Sequence, residues 1–304
     1  MNYRIFFLSL IFSVNSLAAP IHGIYKEEKE ETSKSDKDSV NKDSKQIHLF
    51  KEDVYKEYNP LFADTRQRIS PNYVTTLGLS DTQTLIFNGV KTHYKYPFKW
   101  RKLQFSASSD MALGNTLITT QATQNSALFF GINAGIHGSI PLSIQDVVAH
   151  AVFGMNFGVG FLEKQANSML VDSYFGIDFL YYRYVFRPFI NLSCVIPFSS
   201  LYDVYTTGIG SIGLKTFYRG DSILIFASLA LSTTFSKNNA NIFILLPQAT
   251  SFYIGSNALQ IDFNSGVRHF ITQHFSVNAM VFVNYVTNYY ALNAGGQIGM
   301  GYHF

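Results

Sequence analysis

The chain ends Leu292-Asn293-Ala294-Gly295-Gly296-Gln297-Ile298-Gly299-Met300-Gly301-Tyr302-His303-Phe304. Every second residue of this stretch is apolar or small: Leu292, Ala294, Gly296, Ile298, Met300, Tyr302 and Phe304. The alternate positions, Asn293, Gly295, Gln297, Gly299, Gly301 and His303, are polar or carry no side chain. Successive side chains of a strand point to opposite faces, so the stretch predicts a β-strand with one apolar and one polar face. A tilted strand crosses a bilayer in about 9–11 residues, and this one is long enough.

Length and composition frame that strand. A chain of 304 residues holds one large β domain or two small ones. Apolar residues make up 47% of it, yet no run after the amino terminus approaches the ~18 residues of a membrane helix. Charge is uneven. Residues 20–69 contain ten Lys/Arg and eleven Asp/Glu, whereas residues 70–304 contain only twelve and nine. A net charge of +3, this dispersed, argues against a nucleic-acid partner. The single cysteine, Cys194, rules out an internal disulfide, and its neighbours place it on an apolar row. A closed barrel, with its backbone groups paired, needs no such cross-link.

The sequence divides into three parts. Residues 1–18 read as a secretory signal peptide: Arg4 precedes the apolar core Ile5-Phe6-Phe7-Leu8-Ser9-Leu10-Ile11-Phe12, and Ser16 and Ala18 are small at the cleavage positions. Residues 19–70 form a charged tail and linker, opening on Lys26-Glu27-Glu28-Lys29-Glu30-Glu31. It has too few apolar side chains to offset the entropy of ordering and is expected to be disordered in the periplasm. Residues 71–304 carry the strand pattern.

Twelve strands are expected there, near 72–80, 84–96, 103–113, 126–138, 147–161, 171–183, 188–197, 205–218, 222–235, 255–268, 274–287 and 290–304; dropping the first, weaker pair leaves ten as the alternative. Leu128, Phe130, Ile132, Ala134 and Ile136 oppose Gly131, Asn133, Gly135 and His137. Ala151, Phe153, Met155, Phe157 and Val159 likewise oppose Gly154, Asn156 and Gly158. Apolar-out with polar-in is the pattern of a transmembrane barrel. A soluble sandwich alternates too, so periodicity alone does not choose between them; the signal peptide and the terminal strand do.

The terminal strand, with polar Gln297, then Gly299, then Tyr302 and Phe304 at the very end, resembles the assembly signal of Gram-negative outer-membrane barrels. The resemblance implies an all-β, antiparallel up-and-down barrel delivered by periplasmic chaperones, recognised by the barrel assembly machinery and surrounded by outer-membrane lipids. It implies no activity. A second stretch, Pro60-Leu61-Phe62-Ala63-Asp64-Thr65-Arg66, resembles a Pro-Leu-x-Ala-Asp-Pro-Arg sequence that precedes the barrel in one outer-membrane family, with Thr65 in place of the second proline.

With Phe304 at the periplasmic end, the turns near 139–146, 184–187, 219–221 and 269–273 face the periplasm. The connections near 114–125, 162–170, 198–204, 236–254 and 288–289 then face outward. The longest of these carries Ile242-Phe243-Ile244-Leu245-Leu246-Pro247, apolar enough either to fold into the barrel mouth or to extend the strands above the membrane. Tyr181, Tyr182, Tyr184, Phe186 and Phe189 cluster at one periplasmic turn, as an interfacial aromatic girdle would.

Little in the sequence points to chemistry. Gly208-Ile209-Gly210-Ser211-Ile212-Gly213 matches the dinucleotide fingerprint as a string, but it lies within a strand rather than at a strand-to-helix turn. His93, His137, His150, His269, His274 and His303 all fall toward the periplasmic end, away from the outer mouth where membrane hydrolases work. His137, His150 and His303 share the lumen side, where a metal site is conceivable and polar filling is the simpler account. Asn156, Asp178, Asp262 and Arg268 are expected to line the lumen, the charged ones as ion pairs. No catalytic, cofactor or metal role is assigned to any residue. The expected function is a non-enzymatic outer-membrane protein, either a small channel or a surface or structural component. A lipid- or peptide-directed hydrolase and an adhesin acting through the outer loops are the alternatives.

Overall fold

The computed structural model describes residues 67–304 apart from 101–102, 145–146, 164–166, 199–205, 221 and 237–241. The signal peptide, almost all of the charged tail and the stretch at 60–66 lie outside the described residues.

Fourteen strands follow in order: β1 (Arg68–Leu79), β2 (Gln83–Trp100), β3 (Leu103–Thr120), β4 (Gln124–Ile144), β5 (Val147–Leu162), β6 (Ser168–Tyr181), β7 (Tyr184–Pro197), β8 (Thr207–Arg219), β9 (Ile223–Phe235), β10 (Ile242–Leu245), β11 (Ser251–Ile254), β12 (Leu259–Phe270), β13 (Phe275–Val286) and β14 (Ala291–His303). Twelve of them, all except β10 and β11, form one closed antiparallel barrel in which each strand pairs with its neighbour along the chain. The twelve-strand expectation holds, and the weak first pair is real.

Closure joins β1 to β14, from Arg68 opposite His303 to Leu79 opposite Leu292. The register skips Ser70 and Pro71, because proline has no N–H to give the ladder. The β6–β7 ladder skips Ile177 and Asp178 opposite Pro188 and Arg187 in the same way. Every barrel strand is nevertheless paired on both sides, which is the condition for a sheet to exist in hydrocarbon. Both ends of the described chain meet at one rim, where the Phe304 N–H donates to the Gln67 carbonyl across 3.0 Å. This rim is called proximal here and the opposite one distal.

Polarity is inverted relative to a water-soluble protein. Met155, Leu192, Ile212 and Ile298 point outward, each more than 60% exposed, while Asp110, Asp178, Asn293 and His303 point inward and are fully buried. An apolar surface of this extent is tolerated only against lipid. Near the proximal rim the outward row turns aromatic, with Tyr94, Tyr96, Phe98 and Trp100 on β2 and Tyr302 and Phe304 at the chain end, as an interfacial belt requires.

Three expectations need correction. Several strands run longer than their alternation suggested: β3 continues to Thr120 and β4 to Ile144, so the distal connection after β3 shrinks to a tight turn at 121–123. In these distal segments the inward residues are themselves apolar, Ile118, Ala127 and Phe129 among them, so the alternation fades. Because β2 runs on to Trp100, His93 lies well inside its strand rather than near a periplasmic end. Phe189 is not part of the aromatic belt: it follows the inward parity of β7 and is buried, whereas Tyr181, Tyr182, Tyr184 and Phe186 are exposed.

The plugged lumen as the candidate functional site

The connection from β9 to β12 folds back into the barrel. Its two short strands pair as a hairpin, Ile242 opposite Ile254 through Leu245 opposite Ser251. Phe243, Ile244, Leu245, Leu246, Phe252, Tyr253 and Ile254 are all at most 3% exposed. They form one apolar cluster with inward side chains of the distal wall, including Val74, Leu85, Phe87, Ile118, Phe129, Leu170, Val195, Ile209 and Val286. Hydrophobic burial at both surfaces therefore seats the hairpin, at about 25 cal/mol per Å² of apolar area removed from water.

Polar contacts fix its orientation. The Phe243 N–H donates to Gln83 Oε1 across 2.5 Å, and Ser168 Oγ donates to the Leu245 carbonyl across 2.9 Å. Thr76 Oγ1 reaches the Ala249 carbonyl at 3.2 Å, and Asn293 Nδ2 the Ser251 carbonyl at 3.1 Å. These four wall residues sit on β2, β6, β1 and β14, so the hairpin is tied to several sides of the ring. At its turn Ala249 takes φ 62°, a left-handed conformation closed by the Ala249 N–H to the Leu246 carbonyl at 2.9 Å.

The seat is shaped by missing side chains. A Cβ on Gly131 would collide with the Pro247 carbonyl oxygen, and one on Gly158 would lie 2.8 Å from Pro247 Cβ. Two inward glycines on adjacent strands β4 and β5 thus make room for the hairpin tip. A glycine on the lumen face of a strand is a close-approach signal of this kind, although nothing in the sequence says what approaches.

Below the hairpin the lumen is polar. Lys91 Nζ donates to the Gln248 carbonyl at 3.2 Å and lies 3.7 Å from Asp110, which also contacts His93 Nδ1 at 3.0 Å. Asp178 accepts a bidentate pair from Arg187, 2.5 Å from Nε and 2.9 Å from Nη2. Asp172 accepts from Asn156 Nδ2 at 2.9 Å and Ser193 Oγ at 2.8 Å, and Asp262 accepts from Ser232 and Asn284. Neutral donors therefore cover Asp172.

The lumen candidates are placed as follows. His137, His150, Asn156, Asp178, Asp262, Arg268 and His303 all face inward and are buried. His137 Nε2 meets Ser108 Oγ at 3.0 Å and its Nδ1 meets the Tyr174 hydroxyl at 3.4 Å. His150 Nδ1 meets Ser139 Oγ at 3.3 Å, and His303 Nε2 meets Ser276 Oγ at 3.1 Å. Each histidine has its own serine; the three do not converge. Among the described residues no three His, Cys, Asp or Glu side chains form a metal-holding group.

Of the terminal-strand candidates, Tyr302 and Phe304 are outward and exposed, with rings in T-shaped contact at 5.1 Å, while Gln297 and Gly299 are partly covered on the opposite row. Gly299 packs against the Asn72 side chain of β1 at the closing seam. Gly208 and Gly210 lie within β8 on its outward row, so the string there is wall. The alternation had put Gly131 and Gly158 on the inward row without giving them a role, and Lys91 and Asp110 were not singled out.

No protein-family model and no curated protein matches the sequence. Solved structures do match in fold. The transport unit of the autotransporter AIDA-I from Escherichia coli is 10% identical with a TM-score of 0.54, covering 85% of this chain and 99% of that one. The β domain of the Bordetella autotransporter Brka is 9% identical with a TM-score of 0.51, over 79% and 100%. An outer-membrane channel from Pseudomonas putida F1 is 9% identical with a TM-score of 0.53, over 79% and 96%. Fold and surface together define the class: the chain is an outer-membrane β-barrel. Within that class it is a twelve-stranded barrel with a polar lumen capped by its own hairpin.

Proposed function

We propose that the protein is a small, non-enzymatic outer-membrane channel, held shut by the β10–β11 hairpin, with its proximal rim in the periplasm. One observation carries the reading: an apolar hairpin fills the distal mouth while the lumen beneath it is lined with charged and amide side chains. Burying charges is costly even when they are paired, and an apolar interior would fill a merely structural barrel at lower cost. A water-conducting path is what a polar wall serves.

The extent of the apolar cluster favours the second reading, a permanently closed structural component of the membrane. The hydrolase alternative gains little, because each Ser–His contact has both partners buried and none lies at the distal mouth, and a general base must reach its substrate's proton. The adhesin alternative gains little from the described distal turns at 80–82, 121–123 and 287–290, which are tight.

Planar-bilayer recording tests the proposal on the full chain and on a variant with residues 242–254 replaced by a Gly/Ser linker. Rare openings of the first and steady conductance of the second support the gated channel. Silence of both, with folding shown by heat-modifiable migration on gels, assigns the structural role instead.

A further inference from the structure

We infer that the seat of the β10–β11 hairpin is a peptide site, which takes an extended, uncharged, apolar peptide arriving at the distal mouth. The inference rests on the reading above in one respect, that the hairpin can leave its seat. What the wall contacts carries it. Wall side chains hold the main chain of residues 243–255 at six points. Gln83 accepts from the Phe243 N–H, while Ser168, Lys91, Thr76, Asn293 and Thr234 donate to the carbonyls of Leu245, Gln248, Ala249, Ser251 and Gly255. These six come from five strands of the ring.

The hairpin's own polar side chains are treated differently. Gln248 Oε1 and Thr250 Oγ1 have no hydrogen-bond partner among the described residues, and both residues are at most 4% exposed. Ser251 is the exception, its Oγ donating to Asn293 Oδ1 across 2.6 Å. A buried polar atom left unpaired costs stability, which a lock matched to this one sequence would avoid. Main-chain bonds serve any extended peptide alike, and side-chain pockets then add the selectivity.

Those pockets work by shape. A Cβ on Gly78 would lie 2.9 Å from the ring of Phe243, so the missing side chain leaves a slot for an aromatic. Tyr253 closes over the same ring in T-shaped contact at 5.2 Å. Elsewhere the seat is apolar wall, Leu85, Phe87, Phe129 and Val286 among it, which receives aliphatic side chains and penalises charge. A two-stranded hairpin is marginal by itself, so the seat is what holds these residues extended. Being part of the chain, the hairpin occupies the site as a tethered ligand does, at high effective concentration.

The test uses the full chain with residues 242–254 replaced by the Gly/Ser linker, in lipid nanodiscs, with folding checked by heat-modifiable migration. The probe is a synthetic peptide of residues 242–254 carrying photoreactive benzoylphenylalanine at the position of Phe243. Cross-linking to β1 around Gly78 is expected, with competition by the unlabelled native peptide. A peptide of unrelated apolar sequence, keeping the aromatic but with alanine for Gln248 and Thr250, is expected to compete within about threefold of it. Aspartate at the positions of Ile244 and Phe252 is expected to abolish competition. Thr76→Val with Ser168→Ala in the wall is expected to weaken both peptides about tenfold, and equally. In the intact chain, native peptide at about a millimolar is expected to open Ala249→Cys to a membrane-impermeant maleimide. Competition by the native sequence alone, no cross-link at β1 in the folded variant, or continued protection of that cysteine overturns the site. Conductance plays no part in this readout. Cross-linking in a variant that never conducts keeps the site and removes the channel; conductance without cross-linking does the reverse.

Discussion

Lys91 Nζ lies 3.2 Å from the Gln248 carbonyl oxygen, so one buried ammonium on the wall holds the tip of the hairpin. The same ammonium is 3.7 Å from Asp110. Removing one partner of a buried pair costs about 3–5 kcal/mol, because the remaining charge is left uncompensated. Lys91→Met is therefore expected to lower resistance to urea and to raise the frequency of channel opening. The double variant Lys91→Met/Asp110→Asn is expected to recover much of the stability and keep the frequent opening. If the double variant is as closed as the wild type, Lys91 does not hold the hairpin.

Gly131 offers a steric version of the same experiment. A Cβ added there would collide with the Pro247 carbonyl, so a leucine takes the space that the hairpin tip occupies. Overpacking of this kind costs about 1–3 kcal/mol, here borne by the hairpin because the barrel wall is tied on both sides. Gly131→Leu is expected to expose a cysteine introduced at Ala249 to a membrane-impermeant maleimide. Gly208→Ala, whose added Cβ meets only ordinary contacts at 3.7 Å and beyond, is expected to leave that cysteine protected.

Phe157 and Asn156 are neighbours on β5 with opposite destinations. Phe157 is 50% exposed on the outside and Asn156 is buried against Asp172. Arginine on the lipid face near the midplane costs roughly 2–4 kcal/mol, while an arginine at 156 faces a carboxylate. Folded yield in vesicles is expected to fall much further for Phe157→Arg than for Asn156→Arg.

Phe304 is outward and exposed at the proximal rim, while its backbone N–H completes the seam to Gln67. Its side chain is therefore dispensable for the barrel's own packing. Phe304→Asp is expected to fold in detergent with normal heat-modifiable migration and to accumulate poorly in the outer membrane of cells. Normal cellular yield of this variant would count against the terminal strand as an assembly signal.

Along the wall, strands and faces were legible residue by residue. From Phe130 to Ile136 and from Ala151 to Val159 the outward and inward rows are those that the alternation marks, because lipid outside and polar lumen inside impose opposite demands on adjacent residues. Alternation failed at Ile118 and Phe129, where both faces are apolar, and at Phe189, an inward aromatic near a turn rich in outward ones.

The sequence by itself determined the barrel: a period of two repeated through ten clear strands and a weaker first pair, an even number either way, and a terminal strand with one apolar face. The structure settled the count at twelve and paired the last strand with the first. The sequence also marked the connection at 242–247 as too apolar for water, without deciding where it goes. Only the tertiary structure decided that this connection turns inward, that Gly131 and Gly158 receive it, and that Lys91 meets its tip. The physical reason is range. Strand faces follow from local periodicity, whereas the hairpin's seat is assembled from β1, β2, β4, β5, β6 and β14, whose proximity exists only once the ring has closed.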